Sequence, residues 1–232
     1  MDEISCLCNI LQDVLGSKSD NIAPIPLFSF EGLPGAGKTT QIQLVAETLN
    51  SEGYTAHYID LPTESVIGKI LKCMYNDVTK WNEIRYEHPW LNPVLLSTDL
   101  HLAVETARNF GAKCALMSRG VLSTYYYNID AYGDRNNMEN WKTMENHMSS
   151  FYMPTAIFFL DINEEEARRR VLHRNRMPLR KMDTVSQMRE DKKILLEYLS
   201  RLSSVPVYFI NGSLERNDVT RQVLEKIYMY MR

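Results

Sequence analysis

Apolar residues fall into five short runs separated by stretches of helical spacing. Leu27, Phe28 and Phe30 make the first run. YTAHYID (54–60), KCALMS (113–118), TAIFFLD (155–161) and VPVYFIN (205–211) are the others. Short runs bounded by Pro, Gly or polar clusters predict strands. Between them the period changes. Ile42, Leu44, Val45 and Leu49 predict a helix after the first strand, and helices are predicted over 65–75, 93–110 (closed by Gly111), 137–150, 164–174, 184–202 and 215–231. The aromatic, polar stretch WNEIRYEHPW reads as a surface loop or lid-like connection. Pro62 forces the chain out of the second strand. Strands alternating with helices predict an α/β fold: one five-stranded parallel sheet with helices on both faces. Ahead of it, Ile4, Leu7, Leu11, Val14 and Leu15 share a helical face, tied on by the polar segment SKSDNIAP. The expected organisation is an N-terminal amphipathic helix and linker over 1–22 and one domain over 23–232.

The first strand runs into GLPGAGKT at Gly32, a full match to G-x-x-x-x-G-K-[ST] in the strand–loop–helix context that pattern requires. Gly32, Gly35 and Gly37 carry no Cβ, so the loop can turn successive backbone N–H groups inward. The amides of Gly32, Gly35, Ala36, Gly37, Thr39 and Thr40, with the positive end of the following helix, predict a cradle for phosphate. Lys38 is expected to reach the β/γ-phosphates and the Thr39 hydroxyl to ligate Mg²⁺. The predicted ligand is a nucleoside triphosphate with magnesium.

Composition narrows the setting. A chain of 232 residues suits one sizeable α/β domain. A net charge of −3 argues against a general binder of nucleic-acid polymers or anionic membranes. Cys6, Cys8, Cys73 and Cys114 form no C-x-x-C pair, which predicts reduced thiols in a cytoplasmic protein. Neither a signal peptide nor an apolar run of membrane-spanning length is visible in the sequence. The five histidines show no metal-ligand spacing.

Between Arg168 and Lys181 the chain is strongly basic. Arg168, Arg169 and Arg170 read as a solvated helix face. Arg174, Arg176 and Arg180 straddle a helix end and a loop broken by Pro178, the layout of a lid (about 174–184) that closes over phosphates and supplies guanidinium groups.

From Leu27 onward this layout resembles the thymidylate kinase family and its deoxynucleoside kinase relatives. FEGLPGAGKTT looks like the family's P-loop, IDLPTESVIGKIL like the segment after the second strand, and LLSTDL like the helix carrying substrate contacts. SRGVLST is similar to the D-R motif after the third strand, and FFLDINEEEARRRVLHR to the strand, helix and arginine lid. The resemblance implies a P-loop NTPase three-layer sandwich and transfer of the γ-phosphoryl of Mg-ATP to a nucleoside, nucleotide or similar small acceptor. It also makes a homodimer plausible. Lys38, Arg119 and Arg174 are the catalytic candidates it implies, with Arg176 and Arg180 on the donor phosphates.

Departures from the family pattern fall on the acceptor side. Pro34 replaces an acidic P-loop residue, Asp60 and Leu100 replace arginines, and Leu96 replaces the base-stacking aromatic. Ser118 and Gly120 replace the acid and the tyrosine that flank Arg119. Asp60 is either a proton acceptor for a substrate hydroxyl or a cap for the turn before Pro62. Glu31, Asp99 and Asp161 are the carboxylates offered as compensation for Ser118, and Arg85 and Arg135 the arginines offered in place of the acceptor's anchors. Tyr125, Tyr126 and Tyr127 either line an acceptor pocket or pack. Two further functions stay open: thymidylate kinase activity proper, and ATP binding without catalysis.

Overall fold

The computed structural model describes residues 23–134, 137–148, 151–173, 183–202 and 205–231. The expected helix over 3–16, Arg135 and the lid arginines Arg174, Arg176 and Arg180 lie outside the described residues.

Five strands form one fully parallel sheet: β1 (Leu27–Glu31), β2 (Ala56–Asp60), β3 (Cys114–Ser118), β4 (Ala156–Asp161) and β5 (Val207–Asn211). Their spatial order is β2-β3-β1-β4-β5. The chain first builds the β2–β3 side and later crosses to the β4–β5 side. Strand order therefore reverses around β1, and a ligand crevice is expected at its carboxyl end. Every residue of β1 and β3 is buried, which explains why their sequences read as mostly apolar runs. Phe28, Phe30 and Phe158 stack through the middle, with ring centroids 6.0 Å apart for Phe28–Phe158 and 5.3 Å for Phe30–Phe158. Burial of each such ring contributes about 1.5–3 kcal/mol.

The connecting helices are α1 (Lys38–Ser51), α2 (Val66–Asn76), α3 (Val78–Glu87), α4 (Leu91–Asn109), α5 (Val121–Asn128), α6 (Met138–His147), α7 (Glu164–His173), α8 (Val185–Arg201) and α9 (Arg216–Ile227). α1 packs with α9 and against β2 and β3, while α2 packs on α4 and α5 on α8. Capping follows the sequence: the side chains of Ser65, Asp77, Asn137 and Thr184 accept backbone N–H groups at the starts of α2, α3, α6 and α8. Gly111 takes a left-handed φ of 80° after α4, as a helix-closing glycine should. The segment WNEIRYEHPW departs from expectation, because most of it is helix α3. No residue of α3 is buried, so it carries no apolar period to betray it.

The turn between β2 and α2 bears directly on the site. Asp99, fully buried in α4, accepts hydrogen bonds from the Thr63 amide (2.7 Å), the Thr63 hydroxyl (2.6 Å) and the Ser65 hydroxyl (2.5 Å). Gly68 lets α2 close onto this turn, since a Cβ there would lie 2.3 Å from the Thr63 carbonyl oxygen. Asp99 thus holds the turn that follows Pro62. Among the described residues no helix is long and apolar enough to cross a membrane.

Candidate active site

β1 ends at Glu31, and the chain turns through Gly32 into the glycine loop. Gly35 has φ +86°, and a Cβ on it would stand 2.4 Å from the Ala167 carbonyl oxygen, so the loop lies tight against α7. α1 then starts with left-handed Gly37 as N-cap, no side-chain cap and no acidic residue in its first turn. Its leading amides and positive dipole end are thus available to an anion. The Lys38 ammonium folds back over the loop, donating to the carbonyls of Gly32 (2.8 Å) and Leu33 (2.9 Å).

A cavity of about 300 Å³ opens above this loop. Lys38, Thr39, Asp60, Ser118 and Arg119 line it together with Pro34, Gly35 and Gly37. The sheet register explains the convergence: Asp60 at the end of β2 pairs with Ser118 at the end of β3, and Phe30 of β1 pairs with the same serine. Four sequence candidates from three separate segments (Lys38 and Thr39, Asp60, and Arg119) therefore share one space. Arg119 is the one described non-glycine residue with positive φ, at 69°. Such strain costs on the order of 1–3 kcal/mol and persists where the surroundings impose it. Its guanidinium sits 6.0 Å over the Tyr127 ring.

Glu31 holds that turn. Fully buried, it accepts the Gly120 amide (2.8 Å) and the Ser29 hydroxyl (3.1 Å) on one oxygen and the Ser123 hydroxyl (2.7 Å) on the other. Burial raises its pKa above the carboxylate range, against the lowering effect of Ser123, Lys38, Gly120 and Ser29. Asp99 is committed to Thr63 and Ser65, and Asp161 pairs with Lys192 at 2.6 Å. Arg85 forks onto Asp130, with both bonds at 3.1 Å, and donates to the Tyr127 carbonyl. Tyr125 is a packing residue against Trp141 and Tyr198. Leu96 and Leu100 belong to the core.

Some site residues were not legible in the sequence. Tyr58 reads as an ordinary strand position, yet its hydroxyl interacts with both Asp60 and Thr39. Partial burial and the nearby Asp60 carboxylate push this phenol up to about 12. A second cavity, about 650 Å³, lies between the loop, α7 and the segment after β5. Ala36, Thr40, Glu166, Arg169, Arg170, His173 and Gly212 line it. Arg169 and Arg170 both reach Glu166, and Arg170 also donates to the Gly212 carbonyl at 3.0 Å. The expected solvated face is therefore partly a cavity wall. The arginines hold Glu166 at about 2.

The residues of the first cavity fit a triphosphate: a glycine loop leading into a helix start without a side-chain cap, two cations and a hydroxyl. The family model described as thymidylate kinase matches residues 30–222. A probable thymidylate kinase from Sulfurisphaera tokodaii is 30% identical over 143 residues, 62% of this chain and 67% of the relative. A thymidylate kinase from Thermoanaerobacter sp. (strain X514) is 26% identical over 210 residues, 88% of this chain and 97% of the relative. Probable thymidylate kinase 1 from Saccharolobus solfataricus is 26% identical over 204 residues, covering 87% and 96%. The match begins inside β1 and ends inside α9, so it takes in the end of β1, the glycine loop and the other four strands, and the chain belongs to the thymidylate kinase family of ATP-dependent P-loop phosphotransferases.

Proposed function

We propose that the chain transfers a phosphoryl group from ATP to the hydroxyl or phosphate oxygen of a nucleoside- or nucleotide-like small molecule. The convergence of Lys38, Thr39, Asp60 and Arg119 on one cavity supports this reading. When bound, Mg-ATP supplies the transferable phosphoryl group and part of the charge neutralisation. The loop amides and Lys38 would hold the β/γ-phosphates, and the Thr39 hydroxyl would ligate the metal. Arg119, with Arg174 from the lid, would meet charge as it develops, so catalysis would consist mostly of positioning and electrostatics. Arg176 and Arg180 would approach the donor phosphates. The larger cavity beside Gly212 is sized for the donor's base and sugar. Asp60 would receive a proton from an acceptor hydroxyl.

Acceptor choice follows from the departures. Leu100 is buried in the core and Asp60 carries the wrong charge for gripping a phosphate monoester. An uncharged or distally charged acceptor therefore fits the cavity better than one presenting a phosphate to Asp60. One observation favours thymidylate kinase activity proper: Arg119 lines the cavity and remains available to an acceptor phosphate. A homodimer is an expectation carried over from the family resemblance, and a cytoplasmic setting one from the cysteine pattern. The acceptor class is tested by ADP release with Mg-ATP across nucleosides and nucleoside monophosphates. Turnover with nucleosides supports the reading, whereas turnover confined to thymidylate would replace it with the second.

A further inference from the structure

Thr39 brings one neutral oxygen to a P-loop metal. Mg²⁺ prefers near-octahedral oxygen coordination, dehydrates reluctantly, and is usually held through one or two carboxylates besides substrate phosphates and water. The cavity around Thr39 contains one carboxylate among the described residues, that of Asp60. Its register partner Ser118 offers a neutral hydroxyl. Glu31, the other acid at this end of the sheet, is buried and already accepts three hydrogen bonds. Asp60 is exposed and lines the cavity, while Asp99 holds the turn that follows Pro62. Asp60 and Thr39 line the same cavity, and the Tyr58 hydroxyl interacts with both.

We propose that Asp60 organises the hydration shell of the magnesium ion that accompanies ATP, in the cavity it shares with Thr39. The role rests on the ATP-dependent reading above. It goes beyond acceptor chemistry because it operates before any acceptor is present. Metal-bound water donates to a carboxylate in a charge-assisted hydrogen bond, and removal of such an outer-sphere partner typically costs 10–100-fold in metal affinity. Without metal the same carboxylate faces the triphosphate as a like charge and weakens its binding.

These opposite signs define the test. The affinity of the full chain for AMP-PNP is measured calorimetrically in Mg²⁺ and in EDTA, for wild type, Asp60→Asn and Asp60→Asn/Ser118→Asp. The ratio of the two affinities should fall about tenfold in Asp60→Asn. The loss should arise in the magnesium arm, while the EDTA arm stays equal or tightens. Ser118→Asp should restore the ratio by returning a carboxylate one strand away. A ratio unchanged in Asp60→Asn, with wild type binding AMP-PNP normally, overturns the metal role and leaves ATP binding intact. A wild-type chain that binds AMP-PNP in neither arm overturns the ATP reading and this role with it.

Discussion

The Glu31 carboxylate accepts the Gly120 backbone amide at 2.8 Å, locking the end of β1 to the residue after strained Arg119. A fully buried acid thus sits one residue from a catalytic candidate, and burial raises its pKa. Such a carboxyl binds its proton more tightly in the native state than in the unfolded chain. Its contribution to stability is full below the ordinary carboxylate range and is lost as pH rises through the raised value. Glu31→Gln, which keeps an acceptor for Gly120, should therefore gain in melting temperature relative to wild type as pH rises from the ordinary carboxylate range toward neutrality. Parallel curves for the two proteins would place the buried charge elsewhere.

Arg119 gives a kinetic prediction. Arg119→Gly relieves the left-handed strain but adds unfolded-chain entropy, so stability should stay within about 1 kcal/mol of wild type. Loss of the guanidinium should lower kcat on the order of 100-fold. Chemical denaturation and steady-state kinetics on one preparation check both parts; a fall in stability matching the fall in rate would make Arg119 structural.

Asp99 tests the turn that leaves Asp60 in the cavity. Asp99→Ala strands a buried amide and two hydroxyls, at a cost of about 2–4 kcal/mol. Urea unfolding should show that loss. A change below about 0.5 kcal/mol would mean that Thr63 and Ser65 find other partners.

Gly68→Ala places a Cβ 2.3 Å from the Thr63 carbonyl oxygen and 2.6 Å from its amide nitrogen. Both neighbours are backbone, so α2 or the turn must shift, at a cost of about 1–3 kcal/mol. Unfolding measurements should show the loss together with weakened activity, because the same turn leads from Asp60. A variant as stable as wild type would contradict the packing of α2 on this turn.

Much of this arrangement was legible because local chemistry forced it. The glycine loop needs its glycines at fixed spacing, and buried β1 and β3 had to be mostly apolar. Ser65, Asn137 and Thr184 marked helix starts through their capping oxygens. Helix α3 escaped notice because it buries nothing. The contacts of Tyr58 and the Arg170–Gly212 bond depend on segments distant in sequence meeting at the sheet's carboxyl end. No periodicity encodes such meetings. The commitments of Asp99 and Asp161 were likewise invisible, since a carboxylate's partner is chosen by the fold rather than by its neighbours in the chain.

The most direct test of the account is acceptor-dependent transfer of the γ-phosphoryl from radiolabelled Mg-ATP, comparing wild type with Lys38→Ala. The account predicts a labelled product with wild type and a loss of at least about 100-fold in Lys38→Ala, since Lys38 lies in the cavity where charge must be stabilised. Bound ATP with no labelled product for any nucleoside or nucleotide acceptor, or equal transfer by the two proteins, would contradict it.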